Sequence, residues 1–111
     1  EGFVYFIDRK KELIKTGGEN VYPREVEDVM RSHPAIADLT VIGLPDEGGW
    51  GEKVTLVAVL KEGESLTLDD IKATCRDKIA GYKIPKALKT VDTIPRNHSG
   101  KIQKLLLKEQ F

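Results

Sequence analysis

Two nearly continuous apolar runs lie close together in the middle of the chain: Leu39-Thr40-Val41-Ile42-Gly43 and residues 54–60, VTLVAVL. A strand with one face in water alternates apolar and polar residues. These runs leave no polar face, so each is expected to be a strand covered on both sides and central in a sheet. Pro45-Asp46-Glu47-Gly48-Gly49 between them has the composition of a turn, which lets the two pair as neighbours. Covering both faces of a sheet takes further layers, and the flanking sequence must supply them.

Phe3-Val4-Tyr5-Phe6-Ile7 has strand composition, Asp8-Arg9-Lys10-Lys11 is a polar turn, and Glu12-Leu13-Ile14-Lys15 is a second short strand, which predicts an N-terminal hairpin. Thr16-Gly17-Gly18-Glu19-Asn20 then reads as a glycine loop. Pro23 suits the first position of a helix, with Glu25, Glu27 and Asp28 toward its positive end and Val26, Val29 and Met30 as its buried stripe. Arg31 and His33 fall in its last turn and Pro34 stops it. Thr67 with Asp70 three residues on resembles a capping box, opening a helix through Ala80 that Gly81 closes. Residues 87–91 add a strand and residues 102–111 a short helix with Leu105, Leu106 and Leu107. The predicted class is α+β: a small mixed sheet with an N-terminal β-hairpin, flanked by about three helices, in one domain spanning residues 1–111. A length of 111 residues with 40% hydrophobic and 32% charged content suits one compact core.

Several function classes are excluded. The longest apolar run, residues 54–60, is far short of the roughly 20 residues that cross a bilayer. A formal net charge of zero argues against a nucleic-acid coat. The charge is nevertheless uneven: residues 1–80 hold 11 basic and 16 acidic side chains, and residues 81–111 hold 7 and 2. The basic C-terminal third is either a solvated face or a site that meets phosphates. Cys75, the one cysteine, sits among Ile71, Ala73 and Ile79 and reads as a small core residue; its solitude fits a reducing compartment, hence a cytoplasmic location. His33 and His98 are too few and too far apart for a metal site and read as structural. Glu1 is not an initiator methionine, and the native N-terminus is expected upstream of it.

Three segments carry chemistry. Asp8-Arg9-Lys10-Lys11-Glu12-Leu13-Ile14-Lys15 leads into Gly17-Gly18-Glu19-Asn20-Val21-Tyr22-Pro23. Gly81-Tyr82-Lys83-Ile84-Pro85-Lys86 follows, and Ile94-Pro95-Arg96-Asn97-His98-Ser99-Gly100-Lys101-Ile102 comes last. On their own residues, the first offers a charged turn and a double glycine that is not a P-loop, because no Gly-Lys-Ser/Thr follows. The last is rich in turn formers and leaves Lys101 at a loop tip just before a helix, mobile and reachable. In this order and spacing the three segments resemble the C-terminal domain of the adenylate-forming superfamily of acyl-CoA synthetases, luciferases and peptide-synthetase adenylation domains, over essentially the whole chain. The Gly-Gly-Glu-Asn-Val-Tyr-Pro form looks most like bacterial fatty-acyl or aryl-CoA ligases.

The resemblance implies a mobile lid, hinged near residues 8–11, on a large N-terminal domain absent from this sequence. It implies an AMP-forming acid–thiol ligase that uses ATP, a carboxylic acid and CoA, with Mg²⁺ bound mainly outside these residues. Lys101 inherits the role of adenylation lysine, where a flexible ammonium meets the negative charge that gathers on phosphoryl oxygens. Arg9 inherits contact with the ATP ribose, and Lys11 the hinge. Gly17 and Gly18 inherit the lining of a pantetheine tunnel, with Lys15 and Glu19 flanking them; Trp50, Tyr82 and Lys86 inherit contacts to the CoA nucleotide. Ile84 departs from the pattern, standing where some relatives have a basic residue. The isolated fragment is expected to be inactive. Two rival readings stand beside this one: an adenylation domain that loads a carrier protein, and a stand-alone interaction module of the same fold.

Overall fold

The computed structural model describes residues 13–46, 48 and 51–111. The elements run β1 (Ile14–Thr16), β2 (Glu19–Val21), α1 (Pro23–Met30), β3 (Ile36–Pro45), β4 (Glu52–Leu60), α2 (Leu68–Cys75), a 3₁₀ turn (Gly81–Lys83), β5 (Ala87–Thr90) and α3 (Lys104–Glu109). The class is the expected α+β. β3 pairs antiparallel with β4 and β4 pairs parallel with β5, in the order β3-β4-β5, while β1 and β2 form a separate antiparallel hairpin. No described helix is long and apolar enough to cross a membrane.

The alternation of side chains along β3 and β4 explains why neither strand has a polar face. Val54, Leu56 and Ala58 join Leu39 and Val41 in one buried cluster, completed by Val26 and Met30 of α1 and by Ile71 and Cys75 of α2. Ile42, Leu44 and Val57 point the other way, into a second cluster with Ile94 and with Leu107 of α3. Among the described strands only β4 is central, however; β3 is apolar on both faces yet lies at the edge of the described sheet. Coverage by helices, not lateral position, removes its polar residues. At Val41 side chains meet the open edge: Val41 N donates to Glu27 Oε2 at 2.9 Å, and Val41 O accepts from Lys104 Nζ at 3.1 Å.

The local signals mostly hold, with corrections at element ends. Pro23 opens α1 as expected, but Arg31 caps it and no basic residue lies in its last turn. The Thr67–Asp70 capping box forms, yet α2 stops at Cys75, not Ala80. Arg76 leaves the helix at ψ 133° and Asp77 takes φ 65°, a left-handed conformation that a short polar side chain tolerates. Gly81 accordingly opens a 3₁₀ turn instead of closing a helix. α3 begins at Lys104, two residues later than expected. At six residues it is too short to persist alone, and burial of Leu107, worth roughly 1.5–3 kcal/mol, anchors it.

The hairpin proposed for residues 3–7 and 12–15 falls largely outside the described residues. The described hairpin is one step later, with Ile14 opposite Val21 and the turn at Gly17-Gly18, so the second half of the glycine loop is strand. It packs down on the β3–β4 turn because Gly51, at φ 67°, has no side chain: a Cβ there would stand 2.5 Å from Lys15 O and 2.7 Å from Gly17 N. Beside it Glu52 Oε1 accepts from Lys15 N at 3.2 Å. Cys75 is buried as read, with Sγ 3.5 Å from Met30 Sδ, and burial pushes its thiol pKa up.

Candidate functional site

The Lys101 segment is a tight, side-chain-braced hairpin. Asn97 N donates to Lys101 O and Gly100 N to Asn97 O, both at 2.9 Å, and Arg96 bridges Ile102 antiparallel. Asn97 Oδ1 accepts three bonds, from Ser99 N at 3.0 Å, Ser99 Oγ at 2.9 Å and Lys101 N at 3.0 Å. Lys101 therefore stands on the returning arm of a fixed turn, three residues before α3, with an exposed side chain. The sequence reading placed it at a loop tip directly before a helix and gave Asn97 no role, although an Asn two residues before a serine is an Asx-turn signal. Lys101 borders a groove of about 690 Å³ between β3 and α3, lined among others by Ile42, Gly43, Leu105 and Leu106. Leu105 is 77% exposed and Leu106 48%, so this groove carries apolar surface beside the lysine.

A second cleft, of about 250 Å³, is lined by Gly17, Tyr82 and Lys86, which the sequence reading had grouped from distant segments. Lys83 Nζ, 2.8 Å from Glu25 Oε1, ties the 3₁₀ turn that carries Tyr82 to α1, and Lys86 N donates to Val54 O at 2.9 Å. The Glu25 carboxylate raises the pKa of Lys83. Glu19, Asp46, Glu52 and Lys53 also line the cleft, so it mixes charges instead of presenting a plain cation surface. Gly18 does not line it; a Cβ there would meet nothing within 4 Å. Ile84 packs, partly buried, against the core. Arg9, Lys11 and Trp50 lie outside the described residues. The two clefts share no lining residue, so the Lys101 turn and the Gly17–Tyr82–Lys86 group occupy separate places on one small domain.

Uneven charge along the chain turns out to be largely internal pairing. Lys83 pairs with Glu25 at 2.8 Å, Arg96 with Asp38 at 2.7 Å, Lys104 with Glu27 at 3.6 Å and Lys108 with Glu52 at 3.9 Å. Each pair joins the basic last third to the acidic remainder. Neither a wholly solvated face nor a wholly phosphate-facing one describes residues 81–111. The Arg96 fork meets both Asp38 oxygens, at 2.7 and 3.1 Å, and holds that carboxyl below its ordinary pKa while its own rises.

Residues 25–101 match the family described as AMP-binding enzyme C-terminal domain. The chain is 48% identical over 101 residues to a 3-oxocholest-4-en-26-oate–CoA ligase of Rhodococcus rhodochrous, covering 91% of this chain and 18% of that protein. It is 43% identical over 111 residues to the mitochondrial medium-chain acyl-CoA ligase ACSF2 of Homo sapiens, covering 100% of this chain and 18% of the relative. Among solved structures, a Mycobacterium tuberculosis fatty acyl CoA synthetase superposes with a TM-score of 0.82 at 42% identity, over 91% of this chain and 20% of that one. The chain thus spans about a fifth of the length of the relatives it matches.

Proposed function

The chain belongs to the AMP-binding enzyme C-terminal domain family, and from that premise we propose that it is the mobile lid of an AMP-forming acid–thiol ligase whose large N-terminal domain lies outside this sequence. The whole enzyme would join a carboxylic acid, fatty or aryl, to CoA in two steps. In the first, a carboxylate oxygen attacks the α-phosphorus of ATP and pyrophosphate leaves, giving an acyl-adenylate. In the second, the CoA thiol attacks the acyl carbonyl and AMP leaves. The names of the relatives, acyl-CoA ligases and a fatty acyl CoA synthetase, support this reaction class.

One observation carries the reading: two motif groups occupy two separate clefts of one small domain. Lys101 serves the first step, its ammonium stabilising charge on the phosphoryl oxygens. Arg9 contacts the ribose, and the lid turns about Lys11 between steps. The Gly17-Gly18 turn serves the second, with Tyr82 and Lys86 lining the same cleft as Gly17 and Trp50 taken as a further CoA contact on the family resemblance alone. A cleft of mixed charge suits the neutral, amide-rich pantetheine arm, and leaves Lys86 to meet CoA phosphates. Mg²⁺ accompanies ATP in the large domain; among the described residues no group of three His, Cys, Asp or Glu is placed to hold it.

The test uses the full-length enzyme. Lys101→Ala should lower adenylate formation by about 10²-fold or more, the scale of losing one preorganised charge contact, and leave thioester formation from supplied acyl-adenylate nearly intact. Equal loss in both steps would sink the assignment. Supplying free CoA or a holo-carrier protein in the second step identifies the acceptor.

A further inference from the structure

The turn that presents Lys101 is tied at its base to distant parts of the fold. Gln103 N donates to Pro95 O at 2.9 Å and closes the base itself. On one arm Arg96 forks onto Asp38 of β3. On the other, Lys104 reaches the open edge of β3, where its ammonium donates to Val41 O at 3.1 Å and lies 3.6 Å from Glu27 Oε2. Glu27 is fixed in turn: the same oxygen accepts from Thr40 Oγ1 at 3.0 Å and from Val41 N at 2.9 Å. Both partners are largely withdrawn from water, with side chains 17% and 12% exposed. A partly buried pair with its remaining hydrogen bonds satisfied holds one geometry, because a shift of either partner strands a charge. Surface pairs lack that penalty.

We infer that Glu27 and Lys104 are positioning residues for Lys101: from helix α1, across the edge of β3, they fix where the Lys101 turn stands and hence where its ammonium is delivered. This rests on the adenylation role given to Lys101 above. Adenylation demands placement, since an error of about 1 Å in a reacting geometry costs on the order of 10²-fold in rate. Neither residue lines the Gly17–Tyr82–Lys86 cleft. The pair should therefore matter to the first step and not to the second.

The experiment compares Glu27→Gln and Lys104→Met in the full-length enzyme. Glutamine keeps an acceptor for Thr40 and Val41 but removes the charge; methionine keeps the stem but removes the ammonium. Each should lower kcat for adenylate formation about tenfold with KM for ATP nearly unchanged, the pattern of a contact that acts in the transition state. Thioester formation from supplied acyl-adenylate should stay at the wild-type rate. Lys104→Arg, which keeps the cation, should recover most of the loss. Hydrogen exchange should quicken at the Lys101 and Gln103 amides while the β3–β4 ladder stays protected. Equal loss in both steps together with lowered thermal stability would mean that the pair merely supports the fold, and would overturn the inference. So would unchanged exchange and unchanged adenylation. If Lys101→Ala itself leaves adenylation intact, the lid reading fails, and exchange at Lys101 and Gln103 still decides whether the pair holds the turn.

Discussion

At the scale of single residues, the two adjacent glycines of the β1–β2 turn are not equivalent. Gly17 has φ 70°, where an L side chain is strained, and substitution there should cost about 1 kcal/mol or more. Gly18 lies outside that region, and a Cβ on it meets only open space. Gly18→Leu should accordingly melt within a degree or two of wild type and form acyl-adenylate normally, while, if the turn lines a pantetheine path as proposed, thioester formation from it slows. Normal coupling to CoA in a normally melting variant would reduce the turn to a turn. The sequence could nominate Gly17, Tyr82 and Lys86 only through their family resemblance; nothing in residues 17, 82 and 86 says that a chain bend brings them together. Asn97 is the opposite case. Its signal was present, but three hydrogen bonds to one side-chain oxygen become a site only when seen to hold Lys101 N.

Among the elements, strand β3 does more than its composition announces. Its apolar run was plain in the sequence, and so was coverage on both faces; its place at the edge was not, because an edge strand buried by helices reads like a central one. The run is also longer than expected, reaching back to Ile36 through a register shift between Ile36 and Asp38. There Asp38 receives the Arg96 fork and accepts from Leu39 N at 2.9 Å. Its carboxyl is held below the ordinary value near 3.9. A depressed carboxylate adds stability above its unfolded pKa and loses it as pH falls through the folded one. With the pair about one-third exposed, the contribution is on the order of 1 kcal/mol. Asp38→Asn should therefore lower Tm by about 4 °C at pH 7, and the gap to wild type should close as pH falls below about 4. A gap that does not narrow at all as pH falls below the ordinary carboxylate range would show that the fork's charge is not its source. Helix α1 is a second element with unannounced duties. Glu25 and Glu27 read as favourable charges near a helix N-terminus, yet one fixes the Tyr82 turn through Lys83 and the other the Lys101 turn through Lys104.

Over the whole molecule, the acidic first part and the basic last part are complementary, and among the described residues ion pairs such as Lys83–Glu25 and Lys104–Glu27 join the two. A linear charge count leaves a solvated face or a phosphate site open; three dimensions show that Lys83, Arg96, Lys104 and Lys108 are engaged within the domain. The strands β3 and β4 were legible because a continuous apolar run is local, whereas the pairing of β4 with β5 is parallel and spans a long crossover that no short window contains. One consequence concerns the behaviour of many copies together. An open strand edge invites a strand from another molecule, and proteins block such edges with charge or cover. Here both peptide groups of Val41 are already engaged, one by Glu27 and one by Lys104. Deleting residues 104–111 would release Val41 O and remove Leu107 from the cluster of Ile42, Leu44 and Val57. The shortened chain should form β-rich, concentration-dependent aggregates, visible as thioflavin fluorescence and rising light scatter, where the full 111 residues remain dispersed. A truncated chain that stays monodisperse would locate the block elsewhere. The ion pair that holds the Lys101 turn would then also be what keeps neighbouring molecules from zipping together along β3.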